Sequence, residues 1–504
     1  MSDMHRVLLI YPPYERFRGA SSALFPIGLG YLATQLDRNG YHARIYNADL
    51  GKKEMQGLEK RDILSRTLKQ VDYEKNAQDE NHYVWGEIRQ IISDFKPDMV
   101  GLYTVTLAYP VVLRTLRMVK MLFPRCVTIL GGPHVTVLPD DVMRHPEVDY
   151  VLIGEADRTL PELVDMLKEG ADYTSIMGLG YRKDGEVVIN HEYDYIENID
   201  ALPIVNRELV LNKDDYPGTE IGRMLVGSRG CPFNCTFCAS PAIWKRRVRY
   251  NSPERLIKEL KYLKKTFDIQ EFAFDDDTFT ALKKNTIRLC EGLIEADLRC
   301  KWTCLSRADA LDEELLTLMK SSGCDMVHVG VESGSDHVLK KMKKRITKEQ
   351  VRCASEMIRS MGMRFQTFFM VGTPYERVED IRETIDFMQE LKCDRVHLCT
   401  FTPNPGTQAH RDVVEAGMFD PDFDWATNYK IGHHSFANHF TPHISKDEFV
   451  ALAREATEVA RNISVLSWSR RLKSYRERKG YYLTHPGYVV SRLATMIKLS
   501  LLPK

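Results

Sequence analysis

The stretch Gly227-Ser-Arg-Gly-Cys-Pro-Phe-Asn-Cys-Thr-Phe-Cys238 decides how this chain is organised. Its three cysteines, Cys231, Cys235 and Cys238, are separated by three and then two residues, so their thiols can converge on one metal centre. A ligand set rich in sulfur favours iron–sulfur or zinc centres over the hard cations that prefer oxygen. Structural zinc usually takes four ligands, often as two CxxC pairs, and no second pair lies nearby. Zinc therefore stays the less favoured alternative to an iron–sulfur cluster.

The sequence around and after the cysteines alternates between strand-like and helix-like patterns. Charged amphipathic segments such as Glu313–Ser321 and Lys348–Met361 predict helices between short apolar runs. Barrels of this βα type carry their chemistry at the carboxyl ends of the strands, and the cysteine loop follows the first of these runs. The predicted strands are Met224–Ser228, Glu271–Phe274, Lys301–Leu305, Asp325–Val331, Met363–Met370 and Arg395–Phe401.

The CxxxCxxC spacing followed by six βα units resembles the radical S-adenosylmethionine (SAM) superfamily. The resemblance implies a partial (β/α)6 barrel of the TIM type over residues 221–415. In that family the three cysteines hold a [4Fe-4S] cluster, SAM chelates the fourth iron, and reductive cleavage gives methionine and a 5′-deoxyadenosyl radical. The residues that this resemblance places at SAM are Phe237, Asp275, Asp276, Arg307, Glu332, Ser333 and Gly372.

The residue types at these positions suit the groups of SAM. Carboxylates in Asp275-Asp-Asp277 can bind an amino group through charge-assisted hydrogen bonds, although capping of the next helix is an alternative. The guanidinium fork of Arg307 suits a carboxylate. Glu332 and Ser333 suit ribose hydroxyls or the amino group. We therefore expect the SAM site to span several strand ends.

Residues 1–175 predict a doubly wound parallel sheet, because apolar runs alternate with amphipathic segments. Ligands of such sheets bind beyond the carboxyl ends of the strands. Small or hydroxylated residues at these ends leave room for a large ligand, although glycine after a strand is more often only a turn. The strand-end residues in question are Thr104, Thr106, Gly131, Gly132, Gly154 and Glu155.

The order of these strand ends resembles the Rossmann-like cobalamin-binding domain that precedes many radical SAM enzymes, so all six residues are expected to contact cobalamin. The methionine-synthase type of this domain carries D-x-H-x-x-G, whose histidine ligates cobalt. Here Asp49-Leu-Gly-Lys-Lys-Glu54 has neither the histidine nor the final glycine. Many radical SAM relatives lack the histidine and still bind cobalamin, whereas others bind none. We expect His134 to contact the tail of the cofactor rather than its cobalt.

The remaining segments are predicted to connect and cover the two domains. Residues 176–220 are expected to form a linker that contains a hairpin at Gly178–Asn190. Residues 416–504 are expected to form a helical cap, with an amphipathic helix at Asp447–Leu466 that continues as a basic helix at Ser467–Lys479. Ser491–Leu502 is apolar on one face and carries Arg492 and Lys498 on the other. The basic and apolar pattern of this tail leaves peripheral membrane contact as an alternative role.

The charge, cysteine content and apolar segments of the chain narrow the possible classes of function. Seventy basic and seventy acidic residues give no net charge, so nucleic acid is not expected as an electrostatic partner. Eleven cysteines without a recognisable signal peptide indicate thiols in a reducing compartment, and we expect a cytoplasmic protein. No apolar run reaches the length of about 18 residues that a membrane helix needs.

The two resemblances together imply C-methylation of an unactivated carbon in a small-molecule or lipid-like substrate, with cobalamin and an electron donor such as flavodoxin or ferredoxin. No side chain is predicted as a direct catalytic group, because the cofactors carry the difficult chemistry. Cyclisation, rearrangement or dehydration without methyl transfer is the first alternative. A non-catalytic corrinoid or iron–sulfur carrier is the second.

Overall fold

A computed structural model describes residues 5–51, 72–428, 430–432, 435 and 438–466 of the 504-residue chain. These residues form two large sheets that are predominantly parallel, together with one short antiparallel pair. Helices cover the strands of both large sheets. Within the described ranges, no helix combines the length and apolar character that crossing a membrane requires.

The first sheet has seven strands, and five of them are parallel. Residues 7–10 are fully buried because helices lie on both faces of the sheet. Its strands are β1 (Arg6–Tyr11), β2 (His42–Asn47), β3 (Met99–Tyr103), β4 (Val127–Gly131), β5 (Tyr150–Leu152), β6 (Leu179–Lys183) and β7 (Glu186–Ile189). Their spatial order is β2-β1-β3-β4-β5-β6-β7. The accompanying helices are Tyr14–Phe17, Ile27–Arg38, Tyr83–Phe95, Tyr109–Leu122, Pro133–Val137, Pro139–Met143 and Ala156–Glu169.

The predicted hairpin is present, but it belongs to the first sheet rather than to a linker. Strand β6 pairs antiparallel with β5, and β7 pairs antiparallel with β6. Gly178, at φ +71°, turns the chain so that β6 returns beside β5, and the N–H of Ile153 donates to its carbonyl at 2.8 Å. The expected boundary at residue 175 therefore lies inside the sheet, which extends to Ile189.

The second sheet is the predicted six-stranded parallel half-barrel. Residues that face the helices, such as Trp302 and Cys304, are buried, whereas the intervening Thr303 and Leu305 on the other face are partly exposed. The sheet comprises β8 (Met224–Leu225), β11 (Glu271–Phe274), β12 (Lys301–Ser306), β13 (Cys324–Glu332), β14 (Arg364–Val371) and β15 (Arg395–Thr400), in that spatial order. Between β8 and β11, the short strands β9 (Ser228–Arg229) and β10 (Arg249–Tyr250) form the antiparallel pair. The helices are Ser240–Trp244, Pro253–Phe267, Lys283–Glu295, Glu313–Ser321, Asp336–Lys341, Lys348–Ser360, Val378–Glu390 and Gln408–Glu415.

The region expected to form a C-terminal cap divides between the two domains. Helix Lys446–Leu466 packs beside β15, and its Phe449 and Ala456 lie fully buried in the core of the barrel. Trp425 and Phe440 instead pack into a hydrophobic core of the first domain. The predicted basic helix Ser467–Lys479 and the segment Ser491–Leu502 lie outside the described residues.

Candidate SAM and cobalamin site

The cysteine loop is held in place by backbone hydrogen bonds to distant elements. The N–H of Thr236 donates to the Met342 carbonyl at 2.9 Å, and the N–H of Ala409 donates to the Thr236 carbonyl at 2.9 Å. Gly230 lies at φ +96°, and a Cβ there would collide with the carbonyl of Arg247. A glycine is therefore required immediately before Cys231.

Asp276 fixes the start of this loop. Its carboxylate accepts hydrogen bonds from the N–H of Gly227 at 2.7 Å and from the hydroxyl of Ser228 at 2.6 Å. Burial raises the pKa of Asp276 to about 7, although these two hydrogen bonds oppose the shift. The structure thus gives Asp276 a positioning role in place of the open SAM contact that its strand-end position suggested.

The three cysteine thiols lie partly exposed on one loop. The N–H of Ser240 donates to the Cys238 sulfur at 3.4 Å. Burial raises the pKa of the Cys238 thiol to about 12. Burial also raises the pKa of Cys235, and the cations Lys344 and Arg307 oppose that shift. The positive charge of a bound metal centre would therefore stabilise the thiolate form of these cysteines.

The number of thiols distinguishes between the two metal centres considered. Structural zinc sites usually take four protein ligands. The loop supplies three cysteines, Cys231, Cys235 and Cys238. Cysteine thiolates hold iron–sulfur clusters, and three of them leave one iron of a cubane without a protein ligand. The loop therefore fits a [4Fe-4S] cluster better than zinc.

A cavity of about 320 Å³ opens beside Cys235 and Cys238, within the size range of small-molecule sites. Its wall combines apolar side chains from the helix after the cysteines with Lys343 from a later loop and with the amide and guanidinium groups of helix Gln408–Glu415. The other lining residues are Asn234, Pro241, Ala242, Lys343, Gly406, Gln408 and Arg411.

Arg307 and Glu332 lie near the cysteines, but each already has a protein partner. Arg307 pairs with Asp309 through two contacts of 2.9 Å, and its guanidinium lies 3.8 Å from the ring centroid of Phe233. Glu332 forms a buried ion pair of 2.8 Å with Lys344. Glu332 also lies at φ +75°, which is costly for a residue with a side chain and is concentrated at functional sites. Both residues therefore shape the electrostatics of the cysteine loop.

The other residues expected at SAM differ in their surroundings. Ser333 is fully buried, and its hydroxyl accepts from the N–H of Ser335 at 3.1 Å, so it serves the local fold. At Gly372, φ is +91°, and a Cβ would approach the ring of Phe449 to 2.8 Å, so this glycine permits helix packing. Phe237 packs against the hydrophobic core that the first domain shares with residues 401–440.

Asp275 remains available for a ligand, because its side chain is exposed. The neighbouring Asp277 is also accessible and accepts a hydrogen bond of 2.7 Å from the Ser240 hydroxyl. Partial desolvation raises the pKa of both carboxyl groups, and repulsion from Asp277 adds to the shift at Asp275. A cationic amino group would relieve this cost, so Asp275 fits the amino group of SAM.

The ends of β3 and β4 contain buried polar atoms that fit the polar tail of cobalamin. Thr104 Oγ1, His134 Nε2 and the Tyr109 hydroxyl find no hydrogen-bond partner among the described residues. His134 is fully buried, and its Nδ1 lies 3.1 Å from Thr106 Oγ1. Burial lowers the pKa of His134 to about 3, so its imidazole is neutral. Buried polar groups without partners are costly, and a ligand could satisfy them.

The glycines expected at cobalamin play different parts. Gly132 lies at φ +111°, and a Cβ there would come within 2.9 Å of the Thr104 carbonyl. At Gly131 an added Cβ would meet only ordinary contacts, the nearest at 3.8 Å. Gly154, at φ +77°, lies directly under the ring of Tyr193. Gly132 is therefore required by the close approach of two strand ends, whereas Gly154 packs under an aromatic ring.

Glu155 joins the two domains instead of lying open to cobalamin. One carboxylate oxygen pairs with Arg229 at 2.7 Å, and the other pairs with Arg249 at 2.5 Å. The second oxygen also accepts the N–H of Ile196 at 2.9 Å. Arg229 additionally pairs with Asp157 at 2.8 Å. The strand-end position of Glu155 did not reveal these partners, because they lie far away in the sequence.

The sequence analysis also missed two aromatic residues at the carboxyl ends of central strands in the first sheet. Tyr11 and Tyr103 are the last residues of β1 and β3, and their rings stack at 5.7 Å with an interplanar angle of 12°. Burial raises the pKa of both tyrosines, and the Asp275 carboxyl group adds to the shift, so it lies within electrostatic range of both phenols. The signal in the sequence was a tyrosine at the end of each of two predicted strands, and the structure shows that these strands are adjacent.

Comparison with known proteins agrees with both domains. The radical SAM superfamily matches residues 225–388, and the B12 binding domain matches residues 20–164. The chain is 33% identical over 409 residues to an uncharacterized methyltransferase of Pyrococcus horikoshii, covering 80% of this chain and 82% of that protein. It is 25% identical over 469 residues to cytidylyl-2-hydroxyethylphosphonate methyltransferase of Streptomyces wedmorensis, covering 85% of each. It is also 28% identical over 417 residues to the anaerobic magnesium-protoporphyrin IX monomethyl ester cyclase of Rubrivivax gelatinosus, covering 81% of this chain and 70% of that protein.

Two solved structures share the fold. The radical SAM methyltransferase TsrM from Kitasatospora setae, with cobalamin and a [4Fe-4S] cluster bound, superposes with a TM-score of 0.67 at 15% identity, covering 90% of this chain and 91% of that chain. The cobalamin-dependent radical enzyme OxsB, with aqua-cobalamin and SAM bound, gives a TM-score of 0.60 at 17% identity, covering 90% and 62%. Together with the two domain matches and the Pyrococcus relative, these findings establish that the chain belongs to the cobalamin-dependent radical SAM methyltransferases, whose cofactors are a [4Fe-4S] cluster, SAM and cobalamin.

Proposed function

We propose that this enzyme C-methylates an unactivated carbon of a small-molecule or lipid-like substrate bound between its two domains. The observation that carries this proposal is the proximity of a strand end of the barrel to two strand ends of the first sheet. Asp275, after β11 of the barrel, interacts electrostatically with Tyr11 and Tyr103 at the end of the first sheet. A substrate in this cleft could contact both cofactors.

The helices that flank the cleft also bring the two sides together. Helix Pro133–Val137 follows the Gly131-Gly132 turn and contacts helix Ser240–Trp244, which directly follows the cysteines. Gly406 lies where these helices meet, because a Cβ there would collide with Val137 and approach Ala242 to 3.4 Å. This close packing supports a fixed distance between the cluster loop and the first domain.

The bound cofactors would supply the electron that cleaves SAM and the methyl group that is transferred. The residues of the chain bind, orient and exclude water. Asp275 would hold the amino group of SAM, Asp276 would hold the cysteine loop, and Lys344 with Arg307 would provide positive charge beside Cys235. We further propose a flavodoxin or ferredoxin as the electron donor. The methyltransferase relatives support the same reaction class.

Anaerobic reconstitution tests this function without knowledge of the substrate. The full-length protein would be loaded with iron, sulfide and hydroxocobalamin, and then given a strong reductant and SAM carrying a CD3 group. We expect 5′-deoxyadenosine, S-adenosylhomocysteine and cobalamin that carries the CD3 label. Cys235→Ala should abolish 5′-deoxyadenosine formation, whereas the exposed Cys353→Ala should retain it. Formation of 5′-deoxyadenosine without labelled cobalamin would contradict methyl transfer.

Radical cyclisation, rearrangement or dehydration is the second candidate function. It is favoured by the similarity to the Rubrivivax cyclase. In that case the enzyme would retain 5′-deoxyadenosine formation but would not transfer the CD3 group. A non-catalytic carrier is disfavoured, because the chain is similar to a cyclase and to a methyltransferase, and both of these relatives are enzymes.

A further inference from the structure

Exposed basic residues from separate segments of the chain meet beside the cysteine loop. Two of them, Lys343 and Arg411, line the cavity next to Cys235 and Cys238. Lys343 follows one helix of the barrel, whereas Arg411 lies in a later helix. The fold therefore brings two exposed cations to the residues that hold the cluster.

Two further arginines extend this group around the loop. The Nε of Arg246 donates to the carbonyl of Pro232, inside the cysteine loop, at 3.1 Å. The backbone carbonyl of Arg345 accepts a hydrogen bond of 3.4 Å from Arg307, whose guanidinium lies over the ring of Phe233. We call the exposed cations of this group the basic rim, which consists of Arg246, Lys343, Arg345 and Arg411.

The positive charge of the basic rim is not compensated. Among the residues that the structure describes, no carboxylate forms an ion pair with any member of the rim. Arg246 donates to a backbone carbonyl, and Arg411 donates to a backbone carbonyl and an amide oxygen. The adjacent Arg247, in contrast, pairs with Glu197 at 2.8 Å. An acidic partner is therefore the ligand chemistry that the rim fits.

The local backbone does not require basic side chains at these positions. Arg246, Lys343 and Arg345 lie at φ +62°, +53° and +56°, where glycine is less strained than other residues. A helix end does favour a nearby cation. Lys392 shares this feature, because it is exposed at φ +48° after helix Val378–Glu390, at the amino end of the barrel strands. Lys392 therefore separates the effect of a helix end from that of the rim.

We propose that the basic rim is the surface on which an acidic one-electron carrier protein docks, which rests on the carrier proposed above as the electron donor. The carrier is oxidised by one electron as the cluster is reduced by one. Opposite charges accelerate the encounter of two proteins and orient them. Because the whole chain has no net charge, this attraction is local to the rim. The docked carrier then lies beside the cysteine loop.

Stopped-flow reduction of the reconstituted full-length protein by a reduced, acidic flavodoxin tests the docking. Arg246→Glu and Arg345→Glu change rim residues that do not line the cavity. Each should lower the second-order rate constant at low ionic strength about fivefold or more, and added salt should slow the wild-type reaction. Reduction by dithionite should stay within about twofold, because a small reductant does not depend on an oriented protein encounter.

Lys392→Glu is the matched control, because it makes the same change of charge away from the cysteine loop, and it should react with flavodoxin like the wild-type protein. Arg246→Gly and Arg345→Gly remove the charge and relieve the backbone, so they should react slowly with flavodoxin yet unfold at the same or a higher urea concentration. Methyl transfer is assayed separately with dithionite, so its failure does not affect this test.

Wild-type flavodoxin rates in both glutamate variants would overturn the proposal. An equal loss in Lys392→Glu would also contradict it, because net charge alone would then explain the effect. A parallel loss of reduction by dithionite would be equally contrary, because it would indicate damage to the cluster loop in place of lost docking.

Discussion

Glu155, shortly after β5, and Arg229 in β9, just before the cysteine loop, form a buried ion pair of 2.7 Å that joins the two domains. Arg249 pairs with the other oxygen of the same carboxylate, and Asp157 pairs with Arg229. Because these groups are removed from water, each depends on its partners for compensation. The position of the cysteine loop relative to the first sheet is thereby coupled to two carboxylates of the first domain, those of Glu155 and Asp157.

Replacing Glu155 by Gln should strongly destabilise the protein. Arg229 keeps Asp157, but Arg249 loses its carboxylate partner in a buried position. Removing one partner of a buried ion pair costs about 3–5 kcal/mol. We expect a clearly lower urea midpoint for unfolding and lower retention of the cluster on gel filtration.

The matched control is Glu197→Gln, which breaks the exposed pair of Glu197 with Arg247. Exposed ion pairs contribute little because water and salt screen them, so this variant should unfold like the wild-type protein. Equal unfolding midpoints for the Glu155 and Glu197 variants would show that the buried network does not join the domains energetically.

Replacing Gly132 by Ala should weaken cobalamin binding. The backbone at φ +111° is strained for alanine, and the new Cβ would press against the Thr104 carbonyl at 2.9 Å. We expect a higher dissociation constant for hydroxocobalamin and a lower unfolding midpoint. Gly28→Ala is the control, because this helical glycine has open space around it and alanine favours helices. The account predicts unchanged or slightly higher stability for Gly28→Ala.

Glu376 should make stability depend on pH. Burial raises its pKa to about 8, although the N–H groups of Gly372 and Thr373 oppose the shift. In the unfolded chain this carboxyl group has the ordinary glutamate pKa of 4.5, so between that pH and about 8 the folded state binds more protons. Stability contributed by this group therefore falls as pH rises through this window, by at most about 1.4 kcal/mol per pH unit.

Glu376→Gln should remove that slope, because the neutral amide mimics the protonated acid. Unfolding free energy measured from pH 5 to pH 8 would show a flatter profile in this variant than in the wild-type protein. Glu379→Gln, at an exposed position in the next helix, should leave the profile unchanged. A wild-type slope retained in the Glu376 variant would contradict the assignment.

The neighbouring acids Asp275 and Asp276 should respond differently to amide substitution. Asp276→Asn replaces a carboxylate that accepts from both Gly227 and Ser228, so we expect lower iron and sulfide content after reconstitution. Asp275→Asn removes an accessible negative charge but no loop contact, so iron content should stay normal. SAM should instead bind more weakly to the Asp275 variant, as measured by the change that SAM causes in the EPR signal of the reduced cluster. Low iron content in the Asp275 variant, together with weak SAM binding and normal iron content in the Asp276 variant, would contradict these assignments.

The sequence predicted the parts of the fold that depend on local patterns. Apolar runs such as Val7–Tyr11 predicted the parallel strands. Because the cysteines follow a strand, the sequence also predicted that they lie at the carboxyl end of the barrel strands. The hairpin was visible from its turn, but its membership of the first sheet was not, because nothing local encodes which strand it joins. Pairing between distant strands is a property of the assembled sheet.

The same limit applies to the side chains of the site, because their partners are often distant in the sequence. A position at the end of a strand brought Asp275 and Asp276 to the same edge, yet only their partners separate their roles. Glu155 is bound by arginines 74 and 94 residues away, which no spacing rule connects. Tyr11 and Tyr103 looked like ordinary strand residues until the order of the strands placed them together.

The central claim is that the cluster and cobalamin face each other across one cleft. EPR on the full-length protein, reconstituted with both cofactors and reduced so that cob(II)alamin and the cluster are paramagnetic together, tests it most directly. The account predicts faster spin relaxation or splitting of the cob(II)alamin signal relative to the Cys235→Ala protein loaded with cobalamin alone. Identical cob(II)alamin signals in the two proteins would place the cofactors in separate sites and contradict the account.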